Sequence, residues 1–259
     1  MNINKGLILE SPAPEDFVQG TSRSLEVKFG AQNLQPDGNW EKYLPEGERQ
    51  NPGYETSMCV SSATSTAIEI LANRVFKDLM NLSERMIAKL SGTDPFAGNT
   101  PKRVADAIYR QWSVYEQEWP TSAAENVQEF YAEIPENLKT LAIARGAKYA
   151  FGYQAVPLTK LAIKNDLKKS PVCISVPGWY KDENGKYYRP QGVSDGHWTV
   201  CYGVNENDEY LILDSYLPYK KVMRSDFQPM MAMSYFLELQ VNIPPYRKFL
   251  NLIKSILGL

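Results

Sequence analysis

One histidine occurs in 259 residues, and it opens the stretch DGHWTVCYGVNENDEYLILDSY, residues 195 to 216. Any chemistry that needs an imidazole must be assembled around His197, because the chain has no second one to offer. His197 starts an alternating run to Val204, a turn-prone Asn205-Glu206-Asn207-Asp208 follows, and Tyr210 to Leu213 alternates again before Asp214. Two such runs around a polar turn predict a β-hairpin. The hairpin lays its second strand beside its first, which gives the imidazole of His197 a carboxylate partner in Asp214. A lone histidine also argues against a histidine-rich zinc site, so no metal and no cofactor is expected.

Three cysteines are candidates for a nucleophile: Cys59, Cys173 and Cys201. Cys173 in PVCISV and Cys201 in HWTVCYGV sit in apolar alternating runs, where a free thiol behaves as a small core hydrophobe. Cys59 follows the polar NPGYETS and opens CVSSATSTAIEILANRV, which has helical spacing. A thiol at a helix N-terminus has its thiolate stabilised by unpaired N–H groups and the helix dipole.

From about residue 50 to 220 the chain resembles the papain-like cysteine peptidases. Cys59 and its helix resemble that family's nucleophile helix, LSER at 82 to 85 resembles its LSEQ, and GNTPKRVADAIY at 98 to 109 resembles its glycine-led helix. LKKSPVCISV, GHWTVCYGV and YLILDSY then resemble the segments that carry the family's histidine and its partner. The resemblance implies an α+β, two-lobed fold, with the nucleophile on a helical lobe, His197 and Asp214 on an antiparallel β lobe, and a cleft between. It further implies that Gly98, Asn99, Trp179, Gly196, Trp198 and Tyr216 bind substrate. Asp214 stands where papain itself has asparagine, a role that carboxylates fill in related thiol enzymes, and Tyr216 stands where the family has a shielding tryptophan. The family's oxyanion glutamine lies six residues before the nucleophile, a position held here by Gly53, so Gln50 is the nearest candidate for that role.

Residues 1–45 read as an arm laid over the fold or, as the resemblance allows, a pro-like segment seated in the cleft. Residues 46–243 form the peptidase domain, helical over about 46–150 and β over about 151–243. Residues 244–259, after a double proline, read as an amphipathic helix that closes the domain or docks a partner. A composition 43% hydrophobic and 22% charged is that of a soluble globular chain, and with a net charge of −2 and no long basic run no nucleic-acid partner is expected. No apolar run approaches the ~20 residues of a membrane span. Without a signal-like N-terminus or a disulfide framework, a cytoplasmic, reducing location is expected.

The first helix is expected to bury one stripe, Val60, Ala63, Ala67, Ile70, Leu71 and Val75, with Thr56 or Ser57 as N-cap. Ser83 is expected to cap ERMIAKL up to Gly92, and Thr100-Pro101 to start a helix burying Val104, Ile108, Trp112 and Tyr115. Short helices over 120–150, a strand at YAFGYQAVP, a helix at LTKLAIKNDLKK and strands at PVCISV and MMAMSYFLELQVNI follow. DENGK turns a hairpin whose Trp179, Tyr187 and Tyr188 either contact substrate or cover the sheet edge. The expected activity is hydrolysis of peptide bonds by a cysteine endopeptidase with a Cys59-His197-Asp214 triad, acting on a protein or peptide substrate. The alternatives are the same site used on other amide bonds, as in peptidoglycan hydrolases, deamidases or acyl transferases, and an inactive binding module.

Overall fold

The computed structural model describes residues 6–25, 33–47 and 49–240. The helix expected at 244–259, and the last residues of the strand expected at 230–243, lie outside the described residues. Among the described residues, six α-helices are followed or interleaved by eight strands: α1 Cys59–Phe76, α2 Glu84–Leu90, α3 Pro101–Gln111, α4 Val127–Phe130, α5 Glu136–Gly146, β1 Tyr149–Ala155, α6 Lys160–Leu167, β2 Val172–Val176, β3 Tyr180–Lys181, β4 Tyr187–Tyr188, β5 His197–Val204, β6 Tyr210–Leu213, β7 Lys220–Met223 and β8 Ala232–Leu239. The architecture is α+β. Its helical part precedes a single eight-stranded sheet in the order β1-β8-β2-β5-β6-β7-β4-β3.

The local stop and start signals act as side-chain chemistry dictates. Ser83 accepts from the Met86 N–H at 3.2 Å, and Gly92 follows the end of α2 at φ 69°. Thr100 caps α3 through the Arg103 N–H, with Pro101 at its first helical position. That helix ends at Gln111, and Trp112 follows as its buried C-cap residue at φ 61°.

α1 departs from expectation at its N-cap and in how much of it is buried. Thr56 and Ser57 do not cap it: Thr56 Oγ1 donates to the Gln50 carbonyl at 2.6 Å, Ser57 Oγ to the Pro95 carbonyl at 2.8 Å, and Met58 is the N-cap residue. Those competing hydrogen bonds to more distant backbone take the hydroxyls away. The expected stripe is buried at Val60, Ala63, Ala67, Ile70 and Leu71, with Val75 half-buried, and burial extends well beyond it. Nearly every residue from Cys59 to Ala72 is buried, because α1 packs on α2 and α3 on one side and on β2, β5 and β8 on the other. The small residues between the apolar ones allow this close approach. Their hydroxyls are satisfied locally or across the interface, as with Thr64 and the Tyr235 hydroxyl at 3.0 Å.

In the sheet, β2 lies between β5 and β8, so Cys173 pairs with Val200 on one side and Met233 on the other. Cys201 and Cys173 are both buried there, as core thiols. All neighbouring strands run antiparallel except β4 and β7, which meet in parallel at Tyr187 and Met223. One apolar cluster runs from α1 through the sheet and includes Ile68, Ile70, Leu71, Trp198, Val200 and Tyr235. Burial of each such Ile or Leu contributes about 1.5–3 kcal/mol. No helix among the described residues is long and apolar enough to cross a membrane.

Candidate active site

β5 and β6 form the expected hairpin, with Val200 opposite Leu213, and Asp214 is the first residue beyond β6. The Asp214 N–H is held by the Tyr219 carbonyl at 2.8 Å. This places Asp214 Oδ1 2.5 Å from His197 Nε2, with both side chains fully buried. In the neutral imidazole, the tautomer with hydrogen on Nε2 follows from that bond, and Nδ1 is left as a lone-pair acceptor. Nδ1 is buried and has no hydrogen-bond partner among the described residues. The ring is flanked edge-on by Tyr216, centroid to centroid 5.4 Å, and by Trp179 at 5.7 Å.

Cys59 is the first residue of α1, and its thiol is 0% exposed. The loop before it is shaped by Glu55, whose Oε1 accepts from the Thr56 and Ser57 N–H groups at 3.2 and 3.1 Å and from Gln50 Nε2 at 3.1 Å. Ser57 holds φ 54°, the left-handed region that favours glycine. Two side-chain bonds then tie this loop to the sheet: Tyr216 donates to Glu55 Oε2 at 2.6 Å, and Ser215 donates to Gln50 Oε1 at 2.7 Å. Gln50 is thus brought beside Asp214 through Ser215, with its amide engaged by Glu55.

Burial pushes the Cys59 thiol well above its ordinary range; the Trp198 backbone N–H pulls it down, and the Asp214 and Glu55 carboxylates push it further up. In this closed arrangement the thiol is therefore protonated at neutral pH. Cys173 is likewise pushed up and Cys201 is raised to about 12, both by burial.

The chain's own N-terminal segment packs against the loops that lead into Cys59 and His197. Leu7 N–H reaches the Gly196 carbonyl at 3.4 Å, Ile8 N–H the Asn99 carbonyl at 2.9 Å, and Asn99 N–H the Gly6 carbonyl at 2.8 Å. Leu7 is 4% exposed and belongs to the same apolar cluster as Cys59 and Trp198. Gly98 admits this segment because it has no side chain: a Cβ there would lie 1.9 Å from the Gly6 carbonyl oxygen. The segment continues along α3, where Glu10 accepts from the Lys102 N–H and Asp16 pairs with Lys102, and reaches β1 through Phe17, Gln19 and Ala155.

The residues expected to bind substrate are therefore brought together unevenly. Gly98, Asn99 and Gly196 present backbone or small-residue surfaces to residues 6–8. The Trp198 side chain is wholly in the core, and its N–H is what the thiol receives. Trp179 and Tyr216 shield the imidazole. Tyr187 is buried edge-on under Trp179 at 5.1 Å, so the β3-β4 hairpin uses its aromatics for packing.

Two residues at the site escaped the sequence reading. Glu55 gave no signal, since a carboxylate in a polar loop is ordinary. Lys221 had one: in β7 it shares the inward face with Met223, and an inward lysine requires a counter-ion. Its ammonium is 2.6 Å from Asp214 Oδ2. Among the described residues, no group of three or more His, Cys, Asp or Glu side chains is placed to hold a metal ion.

No family model matches this sequence, and no curated protein matches it. Solved structures do. Xylellain, a cysteine protease from Xylella fastidiosa, superposes with a TM-score of 0.67 at 14% identity, over 93% of this chain and 97% of that one. The bromelain protease from Ananas comosus, in complex with the E64 inhibitor, gives 0.57 at 18% identity, over 77% and 98%. Digestive procathepsin L 3 of Tenebrio molitor gives 0.56 at 14%, over 82% and 79%. The fold is that of the papain-like cysteine proteases, two-lobed and α+β, as the resemblance implied.

Proposed function

We propose that this chain is a cysteine peptidase that acts on protein or peptide substrates and is held latent by residues 6–8 in its cleft. The observation that carries this reading is the division of labour on the single imidazole. Nε2 is committed to Asp214 while Nδ1 is buried and unpaired among the described residues, within a site headed by the α1 thiol. Once the cleft is cleared, Nδ1 takes the Cys59 proton, and the thiolate attacks the carbonyl carbon to form a tetrahedral oxyanion. The Cys59 backbone N–H at the head of α1 is one donor to that oxyanion, and Gln50 is the second once its amide turns from Glu55; each such donor contributes ~3 kcal/mol. The imidazolium returns its proton to the leaving amine, a thioester remains on Cys59, and water activated by His197 hydrolyses it. Asp214 holds the ring orientation throughout. Several of the matched structures are themselves precursors: stem bromelain precursor, the ragweed allergen Amb a 11 in its proform and procathepsin L 3. Three unpaired cysteines fit a reducing compartment.

The packed N-terminal segment and the protonated thiol equally suit an inactive binding scaffold, and alkylation separates the two readings. Limiting iodoacetamide is applied from mildly acidic to neutral pH to the wild-type protein, to a variant with the arm displaced and to that variant with His197→Ala, with peptide mapping. Cys59 labelled far faster than Cys173 and Cys201 in the displaced form, with the selectivity lost on His197→Ala, supports the peptidase. Slow, unselective labelling of Cys59 in all three sinks it.

A further inference from the structure

Lys221 is 3% exposed, on the inward face of β7. An ammonium has three protons to donate, and here each has an acceptor: Asp214 Oδ2 at 2.6 Å, the Tyr216 carbonyl at 2.5 Å and the Pro218 carbonyl at 2.6 Å. It also stands 4.4 Å from the centre of the Trp179 ring, the same ring that meets His197 edge-on. Asp214 divides its two oxygens accordingly, Oδ1 to the imidazole and Oδ2 to the ammonium. A buried charge that is fully donated, and aimed at the far side of the histidine's partner, is not a surface lysine that happened to fold inward.

We propose that Lys221 is a positioning residue of the thiol site: its ammonium fixes the Asp214 carboxylate against His197 and cancels its charge, so that the pair acts on the imidazole as a neutral acceptor. The consequence for thiol chemistry rests on the peptidase reading, but the charge sensed by His197 does not. A bare carboxylate behind the ring attracts its proton and repels a thiolate beside it. Both effects raise the pH at which each group loses its proton. The position that papain itself fills with a neutral asparagine is filled here by an ion pair that is neutral as a whole. The other charged or titratable groups around the pair are Cys59 on α1, Glu55 in the loop before it, Tyr216 after β6 and Lys181 on β3.

His197 is the chain's one histidine, so its ring protons titrate by NMR as a single resolved system. The titration is run on wild type, Lys221→Met, Asp214→Asn and the double variant, with folding checked by near-UV circular dichroism. Lys221→Met is expected to raise the His197 midpoint by about one unit or more, and Asp214→Asn to lower it by a similar amount. The double variant is expected to return to within about half a unit of wild type. An unmoved midpoint in Lys221→Met, or a double variant displaced as far as Asp214→Asn alone, overturns the proposal. Where Lys221→Met does not fold, the comparison of Asp214→Asn with the double variant decides, because adding the second substitution must bring the midpoint back up. Cys59 alkylation across the same series follows the midpoints if the peptidase reading holds. Shifts of His197 without selective Cys59 labelling would overturn that reading and leave the role of Lys221 standing.

Discussion

At Asp214 the two carboxylate oxygens that meet His197 and Lys221 also bear on the stability of the protein. Burial opposes ionisation of this carboxyl, but the contacts with His197 and Lys221 outweigh it and hold the group below its ordinary range. A depressed carboxyl stabilises the fold fully above the unfolded-chain value near 4 and loses that contribution as pH falls through the folded value. Urea melts from pH 5 to pH 2 are therefore expected to show a steeper loss of stability in wild type than in Asp214→Asn/Lys221→Met; equal slopes would remove Asp214 as a source of acid lability. At neutral pH, Asp214→Asn alone leaves the Lys221 ammonium buried without its counter-ion, at a cost of about 3–5 kcal/mol. The His197-Asp214 contact was legible in the sequence because hairpin arithmetic depends only on alternation and turn residues. The Lys221 contact was missed: its one signal, the alternation that puts Lys221 on a face with Met223, spans only the four residues of β7 and is weak beside the longer runs.

At the scale of elements, the N-terminal segment is the one whose role composition hides. Its few apolar residues give no periodicity, yet Leu7 is placed in the core, because Gly6 and Gly98 let two backbones approach as no other residues would. Gly6 holds φ 108°, and a Cβ there would lie 2.0 Å from the Ser57 carbonyl oxygen. Gly6→Ala is thus expected to unseat the segment while the folded core persists. Each ~1.4 kcal/mol removed from its seating multiplies the open population tenfold, so Cys59 alkylation is expected to accelerate by at least about tenfold. Uncovering also lessens the burial that keeps the thiol protonated, so the labelling profile is expected to move to lower pH. Gly20→Ala is the control: it too has a positive φ, but a Cβ there meets nothing within 4 Å. Equal labelling rates in the two variants would show that the segment does not guard the thiol. α1 teaches the complementary lesson. Its spacing was enough to place a helix with Cys59 at its head. The Ser, Thr and Ala residues between its apolar positions, small enough to let neighbouring backbones approach, are buried because a second layer covers them.

Across the whole molecule, the two lobes share one core, since the helix that carries the thiol is packed between them. Ile68, Ile70 and Leu71 join Trp198, Val200 and Tyr235 in a single cluster, and the Tyr235 hydroxyl in β8 meets Thr64 in the middle of α1. The hydrogen bonds of Glu55 with Tyr216 and of Gln50 with Ser215 add a second seam at the cleft. A fold divided this way cannot lose its sheet without exposing α1, so both lobes are expected to unfold in one transition. Tyr235→Phe removes the partner of a buried hydroxyl and is expected to cost about 1–3 kcal/mol. The measurement is urea unfolding followed by far-UV circular dichroism, dominated by the helices, and by near-UV signals of tryptophans on both sides, Trp112 and Trp119 with the helices and Trp179 and Trp198 with the sheet. Coincident midpoints, moved together by Tyr235→Phe, establish the shared core. If the near-UV transition splits into two steps, and Tyr235→Phe moves only the step that does not coincide with the far-UV loss of helix, the lobes are separate folding units. Cys59 and His197 would then be held together by the cleft seam, and loss of thiol selectivity would precede global unfolding.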